Sequence, residues 1–349
     1  MSYTPRSIIS RILQGVLVVV LTYVLVWSVL FLLPGNPVQS RIDNPQNPIP
    51  EDQAEFILAY YGLDRPWYEQ FTVAVGRLFQ GDLGYSLGNG HRVTDLIAQG
   101  LGETAALAVL ALLLTAVFAF IVAFTAVFAP WRSLRTFIRN LPVISLSTPN
   151  FLVGLILLQI FAYNLGWFSS IRDEGLKSLL LPAITLATGA CAPVAQVLIQ
   201  GLDRASGEPF VNVLRSSGYA PQSIVFKHVA KNGSIPAVTL LGLTIGELLT
   251  GAVIVETVFN RTGLGFVTEQ AVRSQDGPVV LGVVMLVAVI YTAVNLLTDL
   301  TYPLLDPRTK EVAGTKKTGQ GVSETDDPRA KEHEAEHGDA VSAEKGSTR

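Results

Sequence analysis

Residues 103–129 read ETAALAVLALLLTAVFAFIVAFTAVFA, and no charged side chain follows Glu103 in that stretch. About 20 consecutive apolar residues are what an α-helix needs to cross the hydrocarbon core of a bilayer. No water reaches that core, so each backbone N–H and C=O must be paired within the segment, which a helix achieves. The stretch therefore predicts a membrane-spanning helix and an all-α fold around it.

Five similar runs flank it, at 12–33, 141–165, 179–202, 235–258 and 279–302. The composition agrees: 49% of the residues are apolar and only 15% charged, with the charges crowded between the runs. The run at 12–33 follows Arg6 and Arg11, as the core of a signal peptide would. It exceeds the ~7–15 residues of such a core and ends in Pro34-Gly35 without a small-x-small cleavage site, so it is read as a retained span. Pro142, Pro149, Pro182 and Pro193 mark kinks or helix starts.

Six spans place both termini on one side, and loop charge selects the side. The loops on the side of the termini carry Arg132, Arg135 and Arg139, then Arg204, Arg215, Lys227 and Lys231, then Arg308 and Lys310. The opposite stretch, 34–102, holds four Lys/Arg against eight Asp/Glu. The expected organisation is a cytoplasmic N-terminus (1–11), a first transmembrane helix (12–33) and an extracytoplasmic region (34–102) with helical character at 51–61 and 68–79. A five-helix core (103–302) follows, with a cytoplasmic loop at 203–234, and then a cytoplasmic tail (303–349). From about residue 309 the tail has no aromatic, Leu or Ile residue, and seven Lys/Arg alternate with nine Asp/Glu. Such a segment cannot bury enough apolar surface to offset its chain entropy and is expected to be disordered.

Several patterns suggest chemistry and fail on context. His333-Glu334-Ala335-Glu336-His337 matches a zinc-protease spacing, but it lies in the charged tail with no third ligand nearby. Gly84-Tyr85-Ser86-Leu87-Gly88 has nucleophile-elbow spacing with His91 close by, yet no strand–helix alternation surrounds it, so a glycine-rich turn is expected. Neither His91 nor His228 falls within a run, where an intramembrane hydrolase would need its base. The single Cys191 cannot form an internal disulfide. A net charge of −3 gives no sign of nucleic acid as a partner. No phosphate-cradling Gly-x-x-x-x-Gly-Lys-Ser/Thr occurs, so this chain does not hydrolyse ATP by that route. Any energy input must come from another polypeptide or an ion gradient, and with one cysteine and four histidines a buried metal site has little to work with.

The 203–234 loop is too polar to span and too apolar to be merely solvated. Pro209 suits a helix start and Gly218 its end, with Phe210, Val213 and Leu214 at helical spacing and Tyr219 following. A second short element, 222–231, carries Ile224, Val225, Phe226 and Val229. Such a hairpin can lie on the membrane surface or insert apolar knobs into a groove on a cytoplasmic partner; docking fits the two-arm form better.

Phe210-Val211-Asn212-Val213-Leu214-Arg215-Ser216-Ser217-Gly218, Lys227-His228 and Asn232…Ile235-Pro236 together resemble the permease signature of ABC importers, in particular the dipeptide/oligopeptide/nickel branch. Asn212-Val213-Leu214 departs from the usual polar and small residues, while Gly218 is kept. The resemblance runs over about residues 8–308. It takes in Leu33-Pro34-Gly35-Asn36-Pro37, Tyr61-Gly62-Leu63-Asp64-Arg65-Pro66, Gly81-Asp82-Leu83-Gly84-Tyr85-Ser86, Leu181-Pro182-Ala183, Glu256-Thr257-Val258-Phe259, Gly263-Leu264-Gly265 and Leu305-Asp306-Pro307-Arg308, in that order.

The resemblance implies the type I importer permease fold with six transmembrane helices, in the bacterial inner membrane. It implies coupling to ATPase subunits through Phe210, Val213, Leu214, Gly218, Tyr219, Lys227, His228 and Asn232. Two ATP-binding-cassette subunits would hold ATP and Mg, a second homologous permease would complete the pathway, and an extracytoplasmic binding protein would deliver the solute. Peptides are the default solute of the branch; nickel or another small solute is the alternative. A gradient-driven transporter, which would show repeated halves with broken helices, is a further alternative.

Within the runs, Glu247 lies near the middle of 235–258. An ionisable group there costs roughly 2.5–3.5 kcal/mol on translocon scales and faces protein or a wet cavity. It is either hydrogen-bonded to a neighbouring helix or lines the pathway. Gly242 and Gly246, with Gly251 beyond, permit close helix approach within the chain or between subunits. Glu256, near the outer end of the same run, is placed to cap or to line an outer gate.

Overall fold

The computed structural model describes residues 5–32, 51–62, 65–169 and 174–305. The Leu33–Pro37 segment, Leu63-Asp64, Arg172, Asp306-Pro307-Arg308 and the tail with its His333–His337 pattern lie outside the described residues. Among those described, the chain is helical throughout, apart from one antiparallel bridge between Tyr85 and Arg92. The helices are α1 (Pro5–Leu32), α2 (Glu51–Tyr61), α3 (Trp67–Phe79), α4 (Val93–Phe128), α5 (Arg132–Ser147) and α6 (Asn150–Asn164). They continue with α7 (Leu176–Ser206), α8 (Pro209–Ser216), α9 (221–233), α10 (Ile235–Val258), α11 (Leu264–Arg273) and α12 (Gly277–Leu305).

Five of them, α1, α4, α7, α10 and α12, are long and apolar enough to cross a membrane. The sixth apolar run, 141–165, is not one straight helix. It is shared by α5 and α6, which are bent by 102° at Thr148-Pro149 and count as one span only if taken together. A residue before proline is driven out of the helical region, and Thr148 is extended at φ −103°, ψ 123°. A hydropathy window averages across that break and cannot see it. Pro142, Pro182 and Pro193, by contrast, sit inside continuous helices. Membrane-spanning helices tolerate this where neighbours re-satisfy the freed carbonyls.

The α4 helix begins at Val93, ahead of the apolar run that starts at Glu103. Charge at Asp95 and Glu103 ends a hydrophobic stretch but not a helix. The heart of the molecule is the α4–α7 pair. Ala111, Ala119, Ala123 and Ala126 of α4 and Ala183, Ala187, Ala192 and Ala195 of α7 are almost wholly buried. Small side chains let backbones approach closely, which is how helices associate where lipid removes the hydrophobic drive. Around this pair α10 packs on α7, α12 packs on α10, and α1 packs on α12. A Cβ on Gly15 of α1 would come within 2.6 Å of Thr292 on α12. Trp27 of α1 meets Phe71 of α3 edge-on at 5.0 Å, fixing α3 against the same corner.

Candidate functional site

The loop between α7 and α10 folds as the two-armed hairpin its sequence predicts. Pro209 occupies the first turn of α8, where its missing N–H is not needed. The arm ends in a Schellman motif: the Tyr219 N–H donates to Leu214 O at 3.1 Å and the Gly218 N–H to Arg215 O at 3.1 Å. Gly218 takes φ +78°, a conformation that costs other residues energy. The second arm, α9, is α-helical at Pro221–Ser223 and Ala230–Gly233, with a π-helical stretch over Ile224–Val229 between them.

The hairpin has two distinct faces. Val211, Ile224 and Val229 are buried in one cluster with Ala119, Ala123 and Ala126 of α4, Leu198 and Leu202 of α7 and Ala237 of α10. Phe210 and Leu214 pack half-buried at its edge. On the other face Val213 is 64% exposed, Tyr219 51% and Phe226 60%. Tyr219 meets the half-buried His228 edge-on, and Lys227 and Asn232 are exposed. Phe226 stacks on Phe124 of α4 at 5.5 Å. The inward set escaped the sequence reading, and so did the contact that seats α9. A Cβ on Gly201 of α7 would lie 2.0 Å from the Gly233 carbonyl oxygen, so backbone meets backbone there. Arg139 of α5 makes a bidentate pair with Asp203 beside the hairpin, both bonds 2.9 Å.

Farther along the bundle, the break between α5 and α6 opens a groove of about 490 Å³. Ser145, Thr148 and Asn150 line it from the break, Gly189 from α7, and Glu247 and Gly251 from α10. Asn150 lies directly over Gly189, where any side chain would collide with its amide. Glu247 is exposed in the groove at the midpoint of α10. Gly242 and Gly246 do not reach it. They turn toward Thr298 and Tyr291 of α12 and serve packing within the chain.

The end remote from the hairpin is tied by polar groups. Glu256 is 1% exposed. Its carboxylate accepts from Thr104 Oγ1 of α4 at 2.6 Å and from the Gly265 N–H at 2.7 Å, while Thr104 Oγ1 accepts from the Leu264 N–H at 2.8 Å. Two residues from other helices thus cap the first turn of α11, where N–H groups lack partners and negative charge is favoured. Gly263 and Gly265 make room: a Cβ on the first would meet the Glu256 carboxylate at 2.3 Å, and one on the second the Val253 Cα at 2.3 Å. Of the two expected roles, Glu256 is seen in the capping one. It holds α11, a helix the sequence reading did not anticipate.

Nearby, Arg261 pairs with Glu103 and donates to Ser178 Oγ at 3.1 Å. The Gly84–Gly88 turn is closed on the same end: Ser86 Oγ donates to Asp276 Oδ2 at 2.5 Å, and the Gly88 N–H donates to the same oxygen at 3.2 Å. Asp276 immediately precedes α12, and His91 remains exposed. The turn is a structural joint, with its serine hydroxyl occupied. Among the described residues, no group of three or more His, Cys, Asp or Glu is placed to hold a metal ion.

Residues 116–311, more than half of the chain, match the family described as binding-protein-dependent transport system inner membrane component. The chain belongs to that family. The matched region takes in the hairpin, the groove lining and Glu256, while Thr104 lies ahead of it. A protein named as a peptide permease in Brucella suis biovar 1 is 31% identical over 317 residues, covering 87% of this chain and 99% of the relative. The glutathione transport system permease protein of Escherichia coli O6:H1 is 30% identical over 302 residues, covering 86% and 97%. A solved amino acid ABC transporter chain overlays with a TM-score of 0.45 at 17% identity, covering 62% of this chain and 94% of that one. The permease is accordingly a multi-pass inner-membrane subunit of an ABC importer, and a gradient-driven transporter is set aside.

Proposed function

We propose that the chain is the membrane subunit of an ATP-driven peptide importer, forming half of the pathway and taking its drive from separate ATPases at the 203–234 hairpin. The observation that carries this reading is the division of the hairpin into two faces. Val211, Ile224 and Val229 fasten it to the ends of α4, α7 and α10, while Val213 and Tyr219 project away from the bundle. An amphipathic segment made only to rest on lipid has no need to be keyed into three spanning helices. A lever does, because force on its outer face must reach the spans.

In this reading the hairpin is cytoplasmic and two ATPase subunits hold the nucleotide and its magnesium. A second, homologous permease closes the pathway, and a binding protein delivers the solute on the opposite side. The chain itself performs no chemistry. The names carried by its relatives support peptides over nickel, and so does the groove, whose lining offers one carboxylate and no His, Cys or Met ligand for a transition metal.

The test is a pair of substitutions on the exposed face, Val213→Asp and Tyr219→Asp, in the full transporter. The expected result is a permease that still inserts and melts normally but no longer co-purifies with its ATPases. Co-purification at wild-type yield, with ATP hydrolysis still stimulated by the binding protein, would sink the proposal.

A further inference from the structure

Glu247 differs from the carboxylates that tie the bundle together. Glu256 is held by Thr104 and Gly265, Asp276 by Ser86, Glu103 by Arg261 and Asp203 by Arg139. Glu247 has no hydrogen-bond or ion-pair partner among the described residues, and no Lys, Arg or His lines its groove. An ionisable group at mid-span is costly and tends to be retained for a pathway or a ligand.

The groups around it narrow the ligand. The Ser145 hydroxyl donates to Thr188 O at 2.7 Å and the Thr148 hydroxyl to Ile144 O at 2.9 Å. Each has spent its only proton, so toward the groove both oxygens can act only as acceptors. The Asn150 amide adds a carbonyl acceptor together with an NH2 donor. One negative charge beside the acceptor oxygens of Ser145, Thr148 and Asn150 is complementary to a cation that carries several N–H donors, such as an ammonium group. At about 490 Å³ the groove falls in the ~300–1,000 Å³ range of small-molecule sites.

We propose that Glu247 receives the protonated amino group of the transported peptide, so that α10 selects for solutes with a free amine. This rests on the peptide-importer reading above and adds a recognition step inside the membrane to whatever selection the binding protein makes.

The site can be probed without relying on transport. In the assembled transporter in lipid nanodiscs, dicyclohexylcarbodiimide should modify Glu247, as read by mass spectrometry of the α10 peptide. Saturating alanyl-alanine should slow that modification about tenfold, as expected when ligand occupies most sites, and N-acetyl-alanyl-alanine should not. Equal protection by both peptides, protection by neither, or no modification of Glu247 at all overturns the proposal. In proteoliposomes, Glu247→Gln should lower uptake of alanyl-alanine by about tenfold or more, the size expected for losing a hydrogen bond to a charged group. Glu247→Asp should restore most of it. If the Gln variant fails to assemble, the labelling of the wild type and the Asp variant still decides. A wild-type transporter whose ATPase responds to its binding protein but which takes up no peptide would instead overturn the peptide-importer reading, and the labelling result would stand separately.

Discussion

The hairpin end of the bundle and its opposite end are both well buried, yet they are held by different physics. At the hairpin, Val211, Ile224 and Val229 meet alanines and leucines of three helices, and backbone approaches backbone at Gly201 and Gly233. At the other end, carboxylates of Glu256 and Asp276 gather hydroxyl and backbone N–H donors from distant segments. Apolar contact is non-directional, and a shape-preserving change costs little. A buried hydrogen bond is directional, and losing one partner leaves the other stranded. The end proposed to take the push of a partner can adjust by sliding; the far end keeps its geometry or loses it.

The largest effects should come where neither end has slack. Gly201→Ala drives a Cβ toward the Gly233 carbonyl, and Gly265→Ala drives one into the α10 backbone at Val253. Each should cost about 3 kcal/mol or more, beyond ordinary overpacking because no side chain can yield. The expected readout is loss of folded protein or a large drop in melting temperature in detergent. Wild-type melting of either variant would show that these backbones can separate.

Next comes the comparison itself. Glu256→Gln keeps the shape but replaces an acceptor oxygen by a donor, so Thr104 or Gly265 loses its partner, at about 1–3 kcal/mol. Leu202→Met at the hairpin end is a similarly conservative change and should cost less than about 1.5 kcal/mol. Equal costs for the two, measured by thermal unfolding side by side, would erase the distinction between the ends.

Gly218→Ala tests the joint of the hairpin. Forcing a side chain into the left-handed conformation should cost about 1 kcal/mol, felt as weaker ATPase association more than as unfolding. Smallest of all, Arg139→Ala removes a well-formed pair that is about two-fifths exposed on both sides, 42% and 43%. Such pairs contribute about 1 kcal/mol or less and are screened by salt. A melting shift larger than that of Glu256→Gln would mean that charge, and not packing, holds the hairpin end.

The spans were legible because the bilayer imposes the rule that makes them so; a charge-free run of that length has few other readings. The hairpin was legible at its boundaries, since Pro209 and Gly218 act locally. Its faces were read only in part. A two-turn helix presents too little sequence to fix its rotational phase, and Val211 and Val213 are equally apolar on paper. The bend at Thr148-Pro149 was marked by its proline, yet Pro142, Pro182 and Pro193 carry the same mark inside continuous helices, so the residue alone does not decide. The roles of Glu256 and Asp276 were illegible for another reason. Their side-chain partners Thr104 and Ser86 lie 152 and 190 residues away, and no local pattern connects them. Gly201 and Gly233 also show their reason only when α7 and α9 are brought together.

The cap on α11 has a consequence for how the chain is made. Thr104 leaves the ribosome 160 residues before Leu264, whose N–H it will accept. Until α4 and α10 have both entered the membrane in register, α11 starts with bare amide groups that only water can satisfy. Its closure is thus a late, non-local event of the kind that carries a loop-closure cost. The cap can close only on a chain in which α4 and α10 already lie side by side.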